Sequence, residues 1–123
     1  MKKLFCIVAL LLSVSTLAFS QKIQHPKQAM TDAQAKAILA DMQQKGSDAE
    51  KVEALKAGVK DKGITVEQLM LLLNQFSADE GKLTCAKFAF AYTVNYKKYD
   101  KIQDLFGDEA SKRELEDFVK KNK

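Results

Sequence analysis

The sequence predicts an all-α fold: about six short helices, paired as three stacked antiparallel helical hairpins in a compact, solenoid-like bundle after a signal peptide. Three observations predict it. Beyond Thr31 there is no Pro, helix formers dominate, and no alternating apolar–polar run argues for a strand. Five Ser/Thr-x-x-Glu/Gln capping boxes mark plausible helix starts: Thr31/Gln34, Ser47/Glu50, Thr65/Gln68, Ser77/Glu80 and Ser111/Glu114. The chain also repeats itself. Met30-Thr31, Gln34, Ile38-Leu39 and Met42 match Ile64-Thr65, Gln68, Leu72-Leu73 and Phe76 at an offset of 34. Asp48, Lys51-Val52 and Leu55-Lys56 match Asp79, Lys82-Leu83 and Ala86-Lys87 at an offset of 31. Leu69 with Leu72-Leu73 matches Ile102 with Leu105-Phe106 at 33, and Lys82-Leu83 matches Glu114-Leu115 at 32.

The N-terminus reads as an export signal. Lys2 and Lys3 form a positive region, Leu4 to Val14 an apolar one, and Ala18-Phe19-Ser20 a small-residue cleavage site before Gln21. The apolar run is shorter than the roughly 20 residues that span a bilayer. Cys6 lies at the start of the apolar region without small residues ahead of it, so it does not mark a lipoprotein. Residues 1–20 are therefore read as a signal peptide, 21–30 as a short leader, and 31–123 as a single helical domain. The exported chain is expected in the periplasm or outside the cell.

Helices are expected near 32–44, 48–61, 66–76, 78–94, 97–106 and 112–121, with Asn95 as the N-cap of the fifth. Gly46, Gly63 and Gly107 stand at helix stops, and all five glycines read as isolated stops. The resulting hairpins are 31–61, 65–94 and 97–121. The middle one is apolar on nearly every face: Leu69 to Leu73, then Leu83, Cys85, Ala86, Phe88, Ala89 and Phe90. A helix apolar all round is buried, and a middle hairpin has neighbours on both sides. A plain six-helix globule without repeat symmetry is the alternative. The period lies near that of tetratricopeptide repeats, but the Trp, Gly and Pro positions of that motif are absent.

The pattern over residues 30–120 resembles a family of secreted bacterial domains known as domain of unknown function 4476. The residues that carry the likeness are Thr65, Gln68, Leu72-Leu73, Phe76-Ser77, Lys82-Leu83, Ala86-Lys87, Tyr92, Asn95-Tyr96, Phe106 and Leu115. The resemblance implies a small helical domain in exported proteins and brings no catalytic residues. The chain departs from the family pattern near Ser47-Asp48, where an aromatic before the Asp is expected.

Chemistry is sparse. Without Lys2 and Lys3 the net charge falls from +4 to +2, with the signs interspersed, so there is no nucleic-acid footprint. Beyond the signal peptide one cysteine remains, Cys85, in the most apolar helix, and it reads as a small buried hydrophobe. His25 is the single histidine, too few for a zinc site or a His-based nucleophile pair. Adjacent carboxylates such as Asp79-Glu80 and Asp108-Glu109 suit helix N-termini, where the dipole favours negative charge. No enzyme, metal or cofactor is expected.

The surface candidate is Tyr92, Tyr96, Lys97, Lys98 and Tyr99, where aromatics beside lysines can form a recognition patch. The competing reading has Tyr92 and Tyr96 closing a hairpin junction, with both lysines solvated. The tail Lys120-Lys121-Asn122-Lys123 complements a helix C-terminus and can also touch anionic lipid or cell-surface polymer. The expected function is binding of a protein, peptide or cell-envelope component. The alternatives are a carrier of a small apolar or lipid ligand and, less favoured, a small Asp/Glu-dependent enzyme.

Overall fold

The computed structural model describes residues 23–122, so the expected signal peptide and cleavage site lie outside the described residues. Five α-helices and one 3₁₀ helix follow in order: α1 Asp32–Gln43, α2 Asp48–Val59, α3 Val66–Leu73, α4 Asp79–Phe90, the 3₁₀ helix Tyr96–Leu105 and α5 Glu109–Asn122. They pair as three hairpins and stack in two rows. α3 lies against α1 and the 3₁₀ helix against α3, while α4 lies against α2 and α5 against α4. The core fills the space between the rows with Met42, Leu55, Leu69, Leu72, Leu73, Phe90, Ile102 and Leu115, all fully buried. Each such side chain contributes about 1.5–3 kcal/mol by leaving water.

The aligned polar residues bind each hairpin to the next. The Asp48 carboxylate accepts the N–H groups of Ser77 at 3.1 Å and Ala78 at 3.0 Å, and Lys51 donates to the Gln75 carbonyl at 2.8 Å. One repeat later, Asp79 accepts from the N–H groups of Gly107 at 3.0 Å and Asp108 at 2.8 Å, and Lys82 donates to the Leu105 carbonyl at 2.8 Å. Further along the same helices, Lys56 lies 5.6 Å from the Phe88 ring and Lys87 lies 5.9 Å from the Phe118 ring. A helix end leaves backbone groups without partners. Here the Asp and the Lys of one hairpin satisfy those groups in the turn of the next. Asp108 breaks the pattern. It accepts from its own helix, from the Ala110 N–H and the Ser111 hydroxyl, both at 3.3 Å, and at the offset of 32 Ser111 stands where a third Asp would be and Glu114 where a third Lys would be.

These clamps also explain where the helix starts depart from expectation. The Thr31/Gln34 and Thr65/Gln68 boxes form in full. At Ser47 the hydroxyl accepts the Glu50 N–H but donates to the Glu50 carboxylate, so only half the box exists. The expected Ser77/Glu80 box is absent: Ala78 is the N-cap, and Asp48 serves the amides. The expected Ser111/Glu114 box is absent too, because α5 starts at Glu109 behind Asp108, and Glu114 pairs with Lys87. Asn95 makes no side-chain cap on the fifth helix. Its Oδ1 accepts the Val66 N–H at 2.8 Å and its Nδ2 donates to Glu67 at 2.9 Å, so it caps α3 instead.

The fourth helix stops at Phe90 because the next residues turn into a single parallel bridge. The Ile64 N–H reaches the Tyr92 carbonyl, and the Val94 N–H reaches the Ile64 carbonyl, both at 2.9 Å. Two glycines are not stops. Gly58 and Gly81 lie inside α2 and α4, where a Cβ would come within 2.6 Å of the Ile38 and Phe76 side chains. The left-handed residue after α2 is Asp61, at φ 62°. Within the middle hairpin, Leu71 points outward at 41% exposure, the one exposed large hydrophobe among the described residues.

The clamps have a measurable consequence. Asp79→Ala is expected to cost about 1–2 kcal/mol in urea unfolding, as for loss of a helix cap. At Asp48 the Ser77 N–H, helped by Ala78 and Lys51, holds the carboxyl below the usual carboxylate range. The folded state therefore prefers the charged form. Its contribution is complete above about pH 4 and is lost as the pH falls through the lower, folded-state value. Wild type and Asp48→Asn should differ in stability at pH 6 and converge in acid.

Candidate functional site

Residues 23–30, expected as a short leader, lie on the domain as a strap. The Met30 N–H donates to the Gly63 carbonyl at 2.6 Å, and Met30 is buried. His25 stacks on Tyr96 with ring centroids 3.6 Å apart and 10° between planes, and meets Phe90 edge-on at 4.9 Å. Its Nδ1 donates to the Thr93 carbonyl at 3.0 Å, which places the proton on that nitrogen. Burial pushes the imidazole below its ordinary value, against the opposing pull of the Thr93 and Phe90 carbonyls. The single histidine is therefore a packing residue on the aromatic cluster.

The five residues of the expected patch separate. Tyr99 is 2% exposed, and its hydroxyl donates to the Ala86 carbonyl; burial pushes the phenol well above the ordinary tyrosine range, so it stays protonated. It is a core residue and not part of an exposed patch. Tyr92 packs against Phe88 at 5.3 Å and borders a separate hollow with Ile23, Pro26 and Lys62. Lys98 is exposed and helps hold the Glu67 carboxyl below the usual range, where the Asn95 amide acts first. Only Tyr96 and Lys97 stay together on the surface.

Those two line a half-open cleft of about 340 Å³ between the 3₁₀ helix and α5. Opposite them stand Leu115, Glu116, Val119 and Lys120, with Asp100 and Gln103 further along the 3₁₀ side and Tyr99 in the floor. The two elements run antiparallel, so the start of the 3₁₀ helix meets the end of α5. Lysines therefore gather at one end, Lys97 and Lys120, with Asp100 and Glu116 one turn further in. Lys120 and Glu116 form an exposed ion pair at 3.2 Å. Leu115 and Val119 contribute the apolar wall. The α5 residues were overlooked as wall residues, although their four-residue spacing carries the signal: Leu115 with Val119 on one stripe, and Glu116 with Lys120 beside it.

Other titratable groups have structural tasks. Cys85 is free and fully buried, and desolvation pushes its thiol up to about 12, so it holds no thiolate for chemistry at neutral pH. Asp79, Asp108, Glu109 and Glu114 serve helix ends or ion pairs. Among the described residues, no group of three or more His, Cys, Asp or Glu is placed to hold a metal ion. No helix among them is long and apolar enough to cross a membrane.

Stacked hairpins joined by repeated Asp and Lys clamps, with one cleft on the last hairpin, define a short helical-repeat scaffold. A family model described as "Domain of unknown function (DUF4476)" matches residues 29–119, and the chain belongs to that family. The match opens one residue before Met30 and runs to the cleft residue Val119, so it takes in all three hairpins. No curated protein and no solved structure matches the chain.

Proposed function

We propose that this chain is an exported, non-enzymatic helical module that binds a protein or peptide, or another cell-envelope component, through the cleft of its third hairpin. Export rests on the signal-peptide pattern of residues 1–20. The observation that carries the binding site is the cleft itself. There an aromatic ring, an apolar wall and charges of both signs surround one hollow, while Asp48, Lys51, Asp79 and Lys82 are committed to the clamps between hairpins. Aromatic area with adjacent polar groups is the composition of binding hot spots.

Site-specific photo-crosslinking tests this reading. A photoreactive residue replaces Gln103 in the cleft or, as a control, Lys36 on the exposed face of α1, in cells making the full precursor. A discrete adduct from Gln103 that is absent from Lys36 and lost in Tyr96→Ser supports the proposal. Equal labelling from both positions, or none from Gln103, refutes it. N-terminal sequencing of the same material should begin at Gln21; protein retaining Met1 in the cytoplasm would remove the export half.

A further inference from the structure

We infer that one end of the bundle, rich in exposed lysines, docks on an anionic phospholipid membrane; this goes beyond the cleft reading above. Along the sequence the charges are interspersed, but the stacking sorts them. In three antiparallel hairpins, α2, α4 and α5 run one way and α1, α3 and the 3₁₀ helix the other. One end of the bundle therefore holds the turns inside the hairpins, and the other holds the strap and the junctions between hairpins. At the turn end the lysines are engaged. Lys45 pairs with Asp41 at 3.5 Å and Lys112 with Glu109 at 3.3 Å, while Lys51 and Lys82 donate to carbonyls of the next turn. At the strap end Lys27, Lys60, Lys62, Lys97, Lys98 and Lys121 are all exposed. Among the described residues none of these six forms an ion pair.

The contacts already described gather these six side chains at one end. Lys62 lines a hollow with Ile23, Pro26 and Tyr92, and Lys27 follows Pro26 in the strap. His25 of the strap stacks on Tyr96, the residue before Lys97 and Lys98. Lys97 faces Lys120 across the cleft, next to Lys121. Helix dipoles account for Lys60 and Lys121, which stand at helix C-termini. They do not account for the other four. Lys27 and Lys62 lie outside the helices, and Lys97 and Lys98 open the 3₁₀ helix, where the dipole favours negative charge. The carboxylates near this end are partly engaged: Asp32 accepts from Gln68, and Glu67 accepts from Asn95.

The residue type selects the partner. A membrane of anionic lipid presents a spread negative potential that attracts basic side chains without fixed geometry. Lysine, a compact and strongly hydrated point charge, suits that surface, whereas bidentate readout of a single phosphate favours arginine. The single arginine, Arg113, lies toward the opposite end, in the first half of α5. Tyr92, with Ile23 and Pro26 beside it, adds a ring of the kind that sits at headgroup level.

Vesicle flotation tests the inference, with the chain lacking residues 1–20 and about 0.1 M salt. Phosphatidylcholine vesicles containing about one third phosphatidylglycerol should carry the chain upward, and pure phosphatidylcholine vesicles should not. Lys27→Gln with Lys62→Gln should lower the partition coefficient by about 25-fold, at about fivefold for each lysine. Lys45→Gln with Lys112→Gln removes the same charge from the turn end. A helix of 12 residues keeps that end about 18 Å away, beyond the screening length of about 10 Å, so this control should change binding by less than about threefold. Equal flotation with both vesicle types, no flotation with either, or equal losses in the two variants would overturn the inference. Head-to-tail association of the chain without vesicles, weakened equally by both variants, would make the partner a second copy and overturn it as well. Retention on soluble polyglutamate without vesicle binding would transfer the face to an acidic polymer and overturn membrane docking. Neither Lys27 nor Lys62 lines the cleft. Failed flotation with the Gln103 crosslink intact therefore removes membrane docking alone, and the converse removes the cleft reading alone.

Discussion

Gly63→Ala is expected to destabilise the domain by about 3 kcal/mol or more, near the upper end for a single substitution. A Cβ at this position would lie 1.8 Å from the Gln28 carbonyl oxygen and 2.8 Å from its carbon. Both are backbone atoms, so no side-chain rotation relieves the collision. The segment cannot withdraw cheaply, because the Gly63 carbonyl receives the Met30 N–H and Ile64 forms the bridge to Thr93. Either the strap 23–30 lifts or the junction between hairpins distorts. Gly107→Ala is the matched control: nothing lies within 4 Å of its Cβ position, and the change should stay within about 0.5 kcal/mol. Urea midpoints of the two variants decide it. A loss at Gly63 no larger than at Gly107 would show that the close approach is not maintained.

Phe90→Ala is the other large effect, expected at about 3–5 kcal/mol for a fully buried aromatic. Phe90 has no exposed surface and joins three parts of the molecule. Its ring meets His25 of the strap at 4.9 Å, Tyr99 of the 3₁₀ helix at 5.0 Å and Phe118 of α5 at 6.1 Å, each near perpendicular. Edge-to-face pairs add to the burial. Removing the ring should therefore loosen the strap and the third hairpin together. Chemical denaturation gives the total, and the His25 ring-proton shifts report the strap separately. A loss below about 1 kcal/mol would mean that the surrounding rings close over the gap.

The repeat was legible because it lives in periodic residue types. Asp48 and Asp79, Lys51 and Lys82, and Lys56 and Lys87 align at one offset. What those residues do was not legible. Capping rules are local, reading three residues ahead, whereas Asp48 and Asp79 act on amides 28 to 30 residues away. That is why the Ser77 box was expected and the Asp48 cap was not, whereas the Ser111 box gives way to a local cap by Asp108. Tyr99 was misplaced for a similar reason. Tyr96, Tyr99, Ile102 and Leu105 recur every third residue, the spacing that shares a face on a 3₁₀ helix. Tyr99 and Ile102 are accordingly buried. Treated as one exposed stretch, the Tyr-Lys-Lys-Tyr sequence hid that face. The cleft was half legible: Tyr96 and Lys97 were in view, and its far wall lies on a helix that only the stacking brings opposite.

The central claim is that each of the first two hairpins holds the next through its own Asp and Lys. Native-state hydrogen exchange of Asp79→Ala tests it most directly. The amides of Gly107 and Asp108 should exchange about 5- to 30-fold faster, the factor expected for losing 1–2 kcal/mol locally. Those of Ser77 and Ala78, held by Asp48, should keep their wild-type rates. Uniform acceleration at all four amides, or none at Gly107 and Asp108, would contradict hairpin-by-hairpin clamping.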